Sequence, residues 1–488
     1  MSNKKKKRRN LGILILLTIL CIGAYIGLHL YMASKNNADE ETATEESAGQ
    51  ILSATTDEAV KLSYEAGDDK VTLVKEDSTW KLSSDKDCPI DQTKVTDMLA
   101  VFSSTEATKK IADNDENNAE YGLDKPALKA TLTLKDKSTV SYQVGIAAIG
   151  DSDGYYVSVS GDDAIYLAPV TVNSAFQYFG KELIAIEETP EIEAENIYAI
   201  DVKKGNDRIF TAKEDEEGYV ITSPYKKGVS ADSSTMSSLL SNYTTYTFTQ
   251  NTDYACKDFS KYGLDNPSYK ITVNYYESTE DSTASATDDA NESSENETKG
   301  EKKTFTLSIG DKDKSGNYYV RMSGSDSVYT MEASSVNTLI EVSAFSAVSK
   351  QLFSMELDSV KKITFKTDAK TYTMTVDAKE VDDSEEESEE ETSTYNATFD
   401  GKEMDDETAT SLYSKLTAVE YKGEVEKAKE SDQVVSVEIV YGTKGQSKKT
   451  FTIYTMDSEY DRVEMDGVSY FTVDKRTVDE LLSELKNM

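Results

Sequence analysis

One histidine, His29, serves a chain of 488 residues, and it lies inside an apolar run near the N-terminus. Beyond that run no imidazole is available, so Ser-His-Asp and Cys-His nucleophile–base pairs are excluded there. Histidine-bearing zinc sites are excluded with them. Cysteine is scarce too. Cys21, Cys88 and Cys256 are too few and too scattered for a thiolate cage or for a disulfide repeated along the chain. A single Cys88–Cys256 bridge stays open. One tryptophan, Trp80, gives little of the aromatic platform that sugars favour. Positive charge is short: 53 Lys and Arg stand against 90 Asp and Glu, for a net charge of −37. Such a surface repels nucleic acid and anionic lipid. No Gly-x-x-x-x-Gly-Lys-Ser/Thr phosphate loop and no Asp-x-Asp-x-Asp-Gly calcium loop occurs. Catalytic, cofactor-binding and metal-ligating residues are therefore assigned nowhere. The chain is read as not an enzyme, with no cofactor and no small-molecule substrate. A carboxylate pair of the glycosidase kind stays formally open, because so many acidic residues supply such a pair by chance.

What is present begins with an address. Residues 1–10 carry Lys4, Lys5, Lys6, Lys7, Arg8 and Arg9, a basic tail expected in the cytoplasm. Residues 11–32 form an apolar run, and about 20 apolar residues in a helix cross a hydrocarbon core of about 30 Å. The expected topology is a single-pass cell-membrane protein with its N-terminus inside and its bulk extracytoplasmic. A cleaved signal peptide fits less well. Its apolar stretch runs to about 7–15 residues before an A-x-A site, whereas Tyr31-Met32-Ala33 follows here. Leu20-Cys21 lacks the small residue that a lipoprotein site places before its cysteine. Residues 33–56 are polar, without apolar periodicity, and read as a disordered tether.

The chain then repeats itself. Tyr121-Gly122-Leu123-Asp124-Lys125-Pro126 returns 141 positions later as Tyr262-Gly263-Leu264-Asp265-Asn266-Pro267. A chain that repeats a domain-sized block is an array of modules. Three tandem modules follow from the order of apolar patterns: 57–190, 191–352 and 353–488. Each opens with three strand-like runs, starting near Val60, Ile197 and Lys361. A helix comes next, with an i, i+3, i+4, i+7 stripe: Val95, Met98, Leu99, Phe102; then Met236, Leu239, Leu240, Tyr243; then Ala409, Leu412, Tyr413, Leu416. Asp91, Asp232 and Asp405 stand four residues before each stripe, placed to cap the free N–H groups. A strand, a hairpin and two further strands follow. The strands near Thr105–Ile111, Thr245–Gln250 and Ala418–Glu424 are expected to be equivalent. So are Tyr156, Tyr319 and Tyr460, and ten residues on, Tyr166, Tyr329 and Tyr470. A last helix carries Val172, Ala175, Phe176 and Phe179 in the first module, with counterparts in the others. The fold class is α+β: an N-terminal transmembrane helix and three modules, each an antiparallel sheet with two packed helices. Acidic, Ser-rich insertions at 277–303 and 381–393 fall between paired strands, at loop tips where disorder costs least.

The repeated phrase reads as a stiff corner. Gly122 and Gly263 permit positive φ, Pro126 and Pro267 fix φ, Asp124 and Asp265 can cap neighbouring backbone, and Tyr121, Leu123, Tyr262 and Leu264 can pin the turn to the core. The alternative reading makes Asp124 and Asp265 ligands. This phrase, then Val144-Gly145 or Ile309-Gly310, then Tyr-Tyr-Val, then Ser-Gly-x-Asp-x-Val/Ile-Tyr, resembles the bacterial domain-of-unknown-function 4340 family. The third module departs from it, with Gln433-Val434 in place of the phrase and Asp461-Arg462 after Tyr460. The resemblance carries over no catalytic residue. It implies a membrane-anchored envelope protein, in some members an auxiliary part of ABC-type transport systems of the gliding-motility kind. The expected function is thus a non-catalytic accessory subunit or scaffold of a membrane complex, with a membrane-complex protein as partner. The alternative is a surface protein that binds cell wall or another extracellular ligand. Thirty tyrosines suit half-buried strands. Tyr243, Tyr246, Tyr254, Tyr262, Tyr269, Tyr275 and Tyr276 cluster, and an exposed aromatic face would sit there if one exists.

Overall fold

The computed structural model describes residues 48–113, 118–148, 153–216, 218–278, 300–378, 395–426, 431–442 and 447–488. The basic tail, the apolar run, most of the tether, the middle of the first acidic insertion and all of the second lie outside the described residues. Among the described residues no helix is long and apolar enough to cross a membrane.

The first module holds β1 (Gly49–Leu52), β2 (Ala59–Ala66), β3 (Asp69–Glu76), β4 (Thr79–Leu82), α1 (Gln92–Ser104), β5 (Thr105–Ala107), β6 (Lys109–Asp113), β7 (Leu128–Leu134), β8 (Thr139–Ala147), β9 (Tyr155–Val159), β10 (Ala164–Ala168) and α2 (Thr171–Ser174). Its sheet runs β4-β3-β2-β7-β8-β9-β10-β6. The second holds β11 (Ile197–Lys204), β12 (Asp207–Asp215), β13 (Gly218–Ser223), β14 (Val229–Ser230), α3 (Ser233–Leu240), β15 (Gln250–Asp253), β16 (Tyr269–Tyr276), β17 (Lys302–Lys312), β18 (Tyr318–Met322), β19 (Val328–Met331), α4 (Ala333–Ile340) and α5 (Ala344–Ala347). Its order is β14-β13-β12-β11-β16-β17-β18-β19-β15. The third holds β20 (Val360–Lys366), β21 (Thr371–Ala378), β22 (Tyr395–Phe399), β23 (Lys402–Met404), α6 (Asp406–Thr417), β24 (Tyr421–Glu424), β25 (Gln433–Tyr441), β26 (Ser447–Thr455), β27 (Tyr460–Met465), β28 (Val468–Asp474) and α7 (Lys475–Asn487). Its order, β23-β22-β21-β20-β25-β26-β27-β28-β24, repeats that of the second strand for strand. Every pairing among the described residues is antiparallel; the first module's main sheet has one edge strand fewer, and a separate β1-β5 pair is added.

Alternation explains the sheets. Along β25, Val435, Val437 and Ile439 turn inward and are fully buried, while Ser436 and Glu438 face out. The helices cover the inward face. Ala409, Leu412, Tyr413 and Leu416 of α6 are buried, and in α1 Val101 takes the place expected for Leu99. Burying one such large side chain contributes roughly 1.5–3 kcal/mol. All three aspartates cap: Asp91 accepts from Thr93 N and Lys94 N, Asp232 from Thr235 N, and Asp405 from Thr408 N.

Several expectations are corrected. The tether does not extend to residue 56: Gly49–Leu52 is a strand paired with β5, and Leu52 is 1% exposed. One strand expected over Thr105–Ile111 is two, β5 on β1 and β6 on β10. The strand expected at Thr245–Gln250 begins only at Gln250, because Tyr246 and Phe248 turn into the core. The last helix of the first module is a single turn. The residues fall into two compact units, one ending at Phe179 and one spanning Gly180–Met488. The break thus precedes residue 190. The segment after Gly180 is fastened to β15 and to the turn before β19: Asn251 Nδ2 donates to Ala185 O at 2.9 Å, and Ser325 Oγ donates to Glu187 Oε1 at 2.8 Å.

Candidate functional site

The repeated phrase folds as a corner in both copies. Gly122 and Gly263 have φ of 69° and 68°, a left-handed conformation that glycine adopts without penalty. Leu123 N donates to Asn118 O and Leu264 N to Phe259 O, and both leucines are 6% exposed. The tyrosines lie edge to face on tyrosines of β9 and β18, Tyr121 on Tyr156 at 4.8 Å and Tyr262 on Tyr319 at 4.9 Å. The paired glycine of β8 or β17 admits the corner backbone. A Cβ at Gly145 would stand 1.9 Å from Tyr121 O, and one at Gly310 2.1 Å from Tyr262 O. Asp124 and Asp265 are exposed. Backbone capping at the second corner comes from Asp258, which accepts from Ser260 N. The phrase residues therefore come together as a turn that locks loop to sheet.

In the third module the same space is filled differently, and strand register corrects the alignment by which Tyr460 matched Tyr156. Val157, Val320 and Val463 hold one position, each opposite Val144, Ile309 and Ile453. Arg462 therefore replaces Tyr156 and Tyr319, and Tyr454 replaces Gly145 and Gly310. Phe471, not Tyr470, stands where Tyr166 and Tyr329 stand. With no Tyr-Gly-Leu-Asp corner to admit, a tyrosine fits at the glycine's place. The Arg462 guanidinium lies 4.1 Å from its ring centre and donates to Ser469 Oγ at 2.7 Å.

At the junction between the second and third modules, separate elements converge on a cavity. The connecting segment carries edge pairing from one sheet to the other. Val348 bridges to Ala231 beside β14, and Gln351 bridges to Glu420 beside β24. Ser349 N donates to Ser230 O at 2.9 Å, and Tyr421 N donates to Lys350 O at 2.8 Å. Tyr225, 2% exposed, reaches across. Its ring lies 4.9 Å from Phe471, and its hydroxyl donates to Glu424 Oε1 at 2.7 Å. Burial, with Glu424 adding, pushes the Tyr225 phenol well above its ordinary range. Lys350 donates to the carbonyls of Phe345 and Val348, and burial lowers its ammonium while Asp232 and Glu424 oppose that shift. One apolar core runs from Ile192 to Leu485 without a break between the two modules.

Beside this joint opens a pocket of about 110 Å³. Leu352, Val463, Met465 and Phe471 give it apolar lining. Lys227 comes from the second module, and Lys449 and Asp466 come from the third. Its one carboxylate offers no acid–base pair. Among the described residues no group of three or more His, Cys, Asp or Glu is placed to hold a metal ion. Cys88 and Cys256 are buried free thiols whose pKa is pushed up by burial, so neither is poised as a nucleophile. The seven clustered tyrosines make no exposed face: Tyr243, Tyr246 and Tyr275 are buried and the other four half-buried. The junction itself carries no local sequence signal, since Tyr225 and Glu424 are 199 residues apart.

The family model described as Domain of unknown function (DUF4340) matches residues 80–255 and again 220–434. Each match starts in the third opening strand of one module and runs past the helix of the next, so each reads across a junction. No curated protein and no solved structure matches the chain.

Proposed function

We propose a scaffold role for this chain, which belongs to the DUF4340 family. It is a non-catalytic, membrane-anchored accessory subunit of a cell-envelope complex, of the ABC-type transport kind, with residues 11–32 as its anchor and the modules outside the membrane. One observation carries the reading. A single strand order is used three times, and the residues that mark the repeat are spent on a corner, leaving shape and contact area as what the chain offers. The welded joint between the second and third modules supports it, because a scaffold transmits position only if its parts hold a fixed angle.

The test is purification of the full chain in mild detergent, with identification of what comes with it. An ATPase and a permease in stoichiometric amount are the expected companions. Retention on purified cell wall, with no membrane partner, would instead favour the surface-binding reading. The anchor is checked separately: the protein should resist alkaline extraction from membranes and keep its first residues on N-terminal sequencing. A mature chain starting after Met32 would remove the anchor from the proposal.

A further inference from the structure

The second and third modules end in the same sheet edge, and one of the two is covered. Two counts make β14 and β23 equivalent. Register carried across the sheets from Ile309 and Ile453 matches Val273 with Ile439, Ile200 with Ile363 and Ala212 with Met374. It continues to Ile221 with Phe399 and ends at Val229 with Lys402. Counting back from the capping aspartates, Asp232 and Asp405, gives the same match. Ser230 thus corresponds to Glu403, and Ala231 to Met404.

In the second module the outer groups of this edge are taken. Ser349 N donates to Ser230 O, and Asp232 N donates to Ala347 O at 2.8 Å, so Ala347-Val348-Ser349 lies along β14 as one more strand. In the third module they are open. Asp400 and Gly401, both at positive φ, form a two-residue turn that makes Phe399 and Lys402 a hydrogen-bonded pair. Bonding alternates along an antiparallel pair, so the backbone groups of Glu403 point away from β22. Among the described residues no strand lies beyond β23. Lys402, Glu403 and Asp405 are exposed, whereas Asp232, with the linker beside it, is half-buried.

A short charged edge is a common guard against pairing. Length does not separate the two edges, because β14 has two residues and is paired all the same. Charge does. Asp232 is followed by Ser233 and Ser234, whereas β23 runs into Asp405, Asp406 and Glu407, all exposed. The linker already answers the single charge: Lys350, two residues after Val348, donates to the carbonyls of Phe345 and Val348 and stands where its charge acts on Asp232. A second copy of this chain supplies no equal. Its corresponding strand is β1, since Gln50 faces Glu106 as Gln351 faces Glu420, and β1 has Gly49 at the place of Lys350.

We propose that the outer edge of β23 docks an extended segment of a partner protein, added to the sheet as a strand, with a basic residue set against Asp405, Asp406 and Glu407. Main-chain bonds to Glu403 and Asp405 hold the segment, and the acidic turn selects its charge. The docking edge rests on the scaffold reading only for the existence of a partner, and peptide binding is measured on the chain alone.

The probe is a capped, fluorescent peptide with the sequence of residues 344–351, titrated into the full chain in detergent and followed by anisotropy. It should bind saturably. The same peptide methylated at the Ser349 nitrogen, which cannot donate to Glu403 O, should bind about tenfold more weakly or worse, and so should a Lys350→Glu peptide. Asp406→Asn with Glu407→Gln in the protein should weaken the parent peptide about threefold. Glu403→Pro sets a ring on the outer edge without removing a bond to β22, and should abolish binding at an unchanged melting temperature. No saturable response up to about 1 mM peptide overturns the proposal. So does equal affinity for the methylated or the Lys350→Glu peptide, or binding that survives Glu403→Pro. Should Glu403→Pro fail to fold, the methylated peptide decides. Self-association of the full chain that Glu403→Pro removes would give the edge to a second copy and overturn the partner as stated. If the peptide fails while an ATPase and a permease still co-purify, the docking edge falls and the scaffold reading stands.

Discussion

The second and third modules share a strand order and differ in what fills it. Where the second has Gly310, Tyr319 and the Tyr262 corner, the third has Tyr454 under Arg462. Where the second has Tyr246 on Phe305, the third has Val419 and Lys449, and Lys449 lines the pocket at the joint. The difference teaches that topology here rests on alternation and caps, which all three modules keep. Individual sites are free to change once a local constraint is lifted. A glycine is required only as long as a corner backbone rests on it.

The largest effect should come from testing that requirement. Gly310→Ala drives a Cβ into Tyr262 O at 2.1 Å, with Gly263 and Leu264 close behind. The clash is with backbone that cannot rotate away, so the cost belongs at the upper end of overpacking, about 3 kcal/mol. Gly145→Ala should behave alike in the first module. At the same register, Tyr454→Ala removes only the ring beneath Arg462 and should cost about 2 kcal/mol or less. Denaturant unfolding of the three variants checks the order. If Gly310→Ala is as mild as a surface substitution, the corner is not what the glycine serves.

The two compact units should part company at alkaline pH. Burial holds Tyr225, Tyr243 and Tyr246 above the ordinary phenol pKa of about 10, and pushes Tyr413 and Tyr421 up to about 12. The folded state then keeps protons that the unfolded chain releases. The stability these groups contribute is complete below the unfolded pKa and is lost as pH rises beyond it. Lys350 acts the other way, because burial lowers its pKa and its cost fades once the unfolded lysine is neutral as well. Several phenols outweigh one amine, so the net slope is downward. The first unit offers Tyr142 in the same role. Melting between pH 9 and 11 should therefore fall more steeply for the second unit. Trp80 fluorescence follows the first unit alone, and circular dichroism follows both. Tyr225→Phe should flatten the second unit's slope and cost about 1 kcal/mol at neutral pH through the lost bond to Glu424.

Much of this frame was legible because its signals are local. The hairpin strands, the helix stripes and the three capping aspartates each sit within a few residues of what they determine. The acidic insertions fall between β16 and β17 and between β21 and β22, as their sequence neighbours require. Illegible features are those decided at long range. Gln50-Ile51-Leu52 is too short to show a period, and it becomes a strand only because β5 is there to pair with. Tyr470 looked like the partner of Tyr329 because a tyrosine match outweighs a one-residue slip in sequence, whereas strand pairing puts Phe471 in that place. The Tyr225–Glu424 contact and the pocket exist only once two modules are joined.

The smallest effect tests whether the shared frame is energetically shared. Asp91 caps α1, its Oδ1 accepting from Thr93 N at 3.0 Å and Lys94 N at 3.3 Å. The first helical residue, Gln92, is bound in turn to both backbone groups of Trp80, each at 2.9 Å. Cap, helix start and edge strand thus form one local assembly, and the only tryptophan reports on it. Asp91→Ala leaves two first-turn N–H groups to water and should cost about 1 kcal/mol, while Asp91→Asn, which still offers an oxygen, should recover most of it. Both are read as shifts in the Trp80 unfolding midpoint. A loss confined to Asp91→Ala ties the aspartate to capping. An equal loss in Asp91→Asn would tie it to charge instead, and the parallel among Asp91, Asp232 and Asp405 would then be one of position without a common cause.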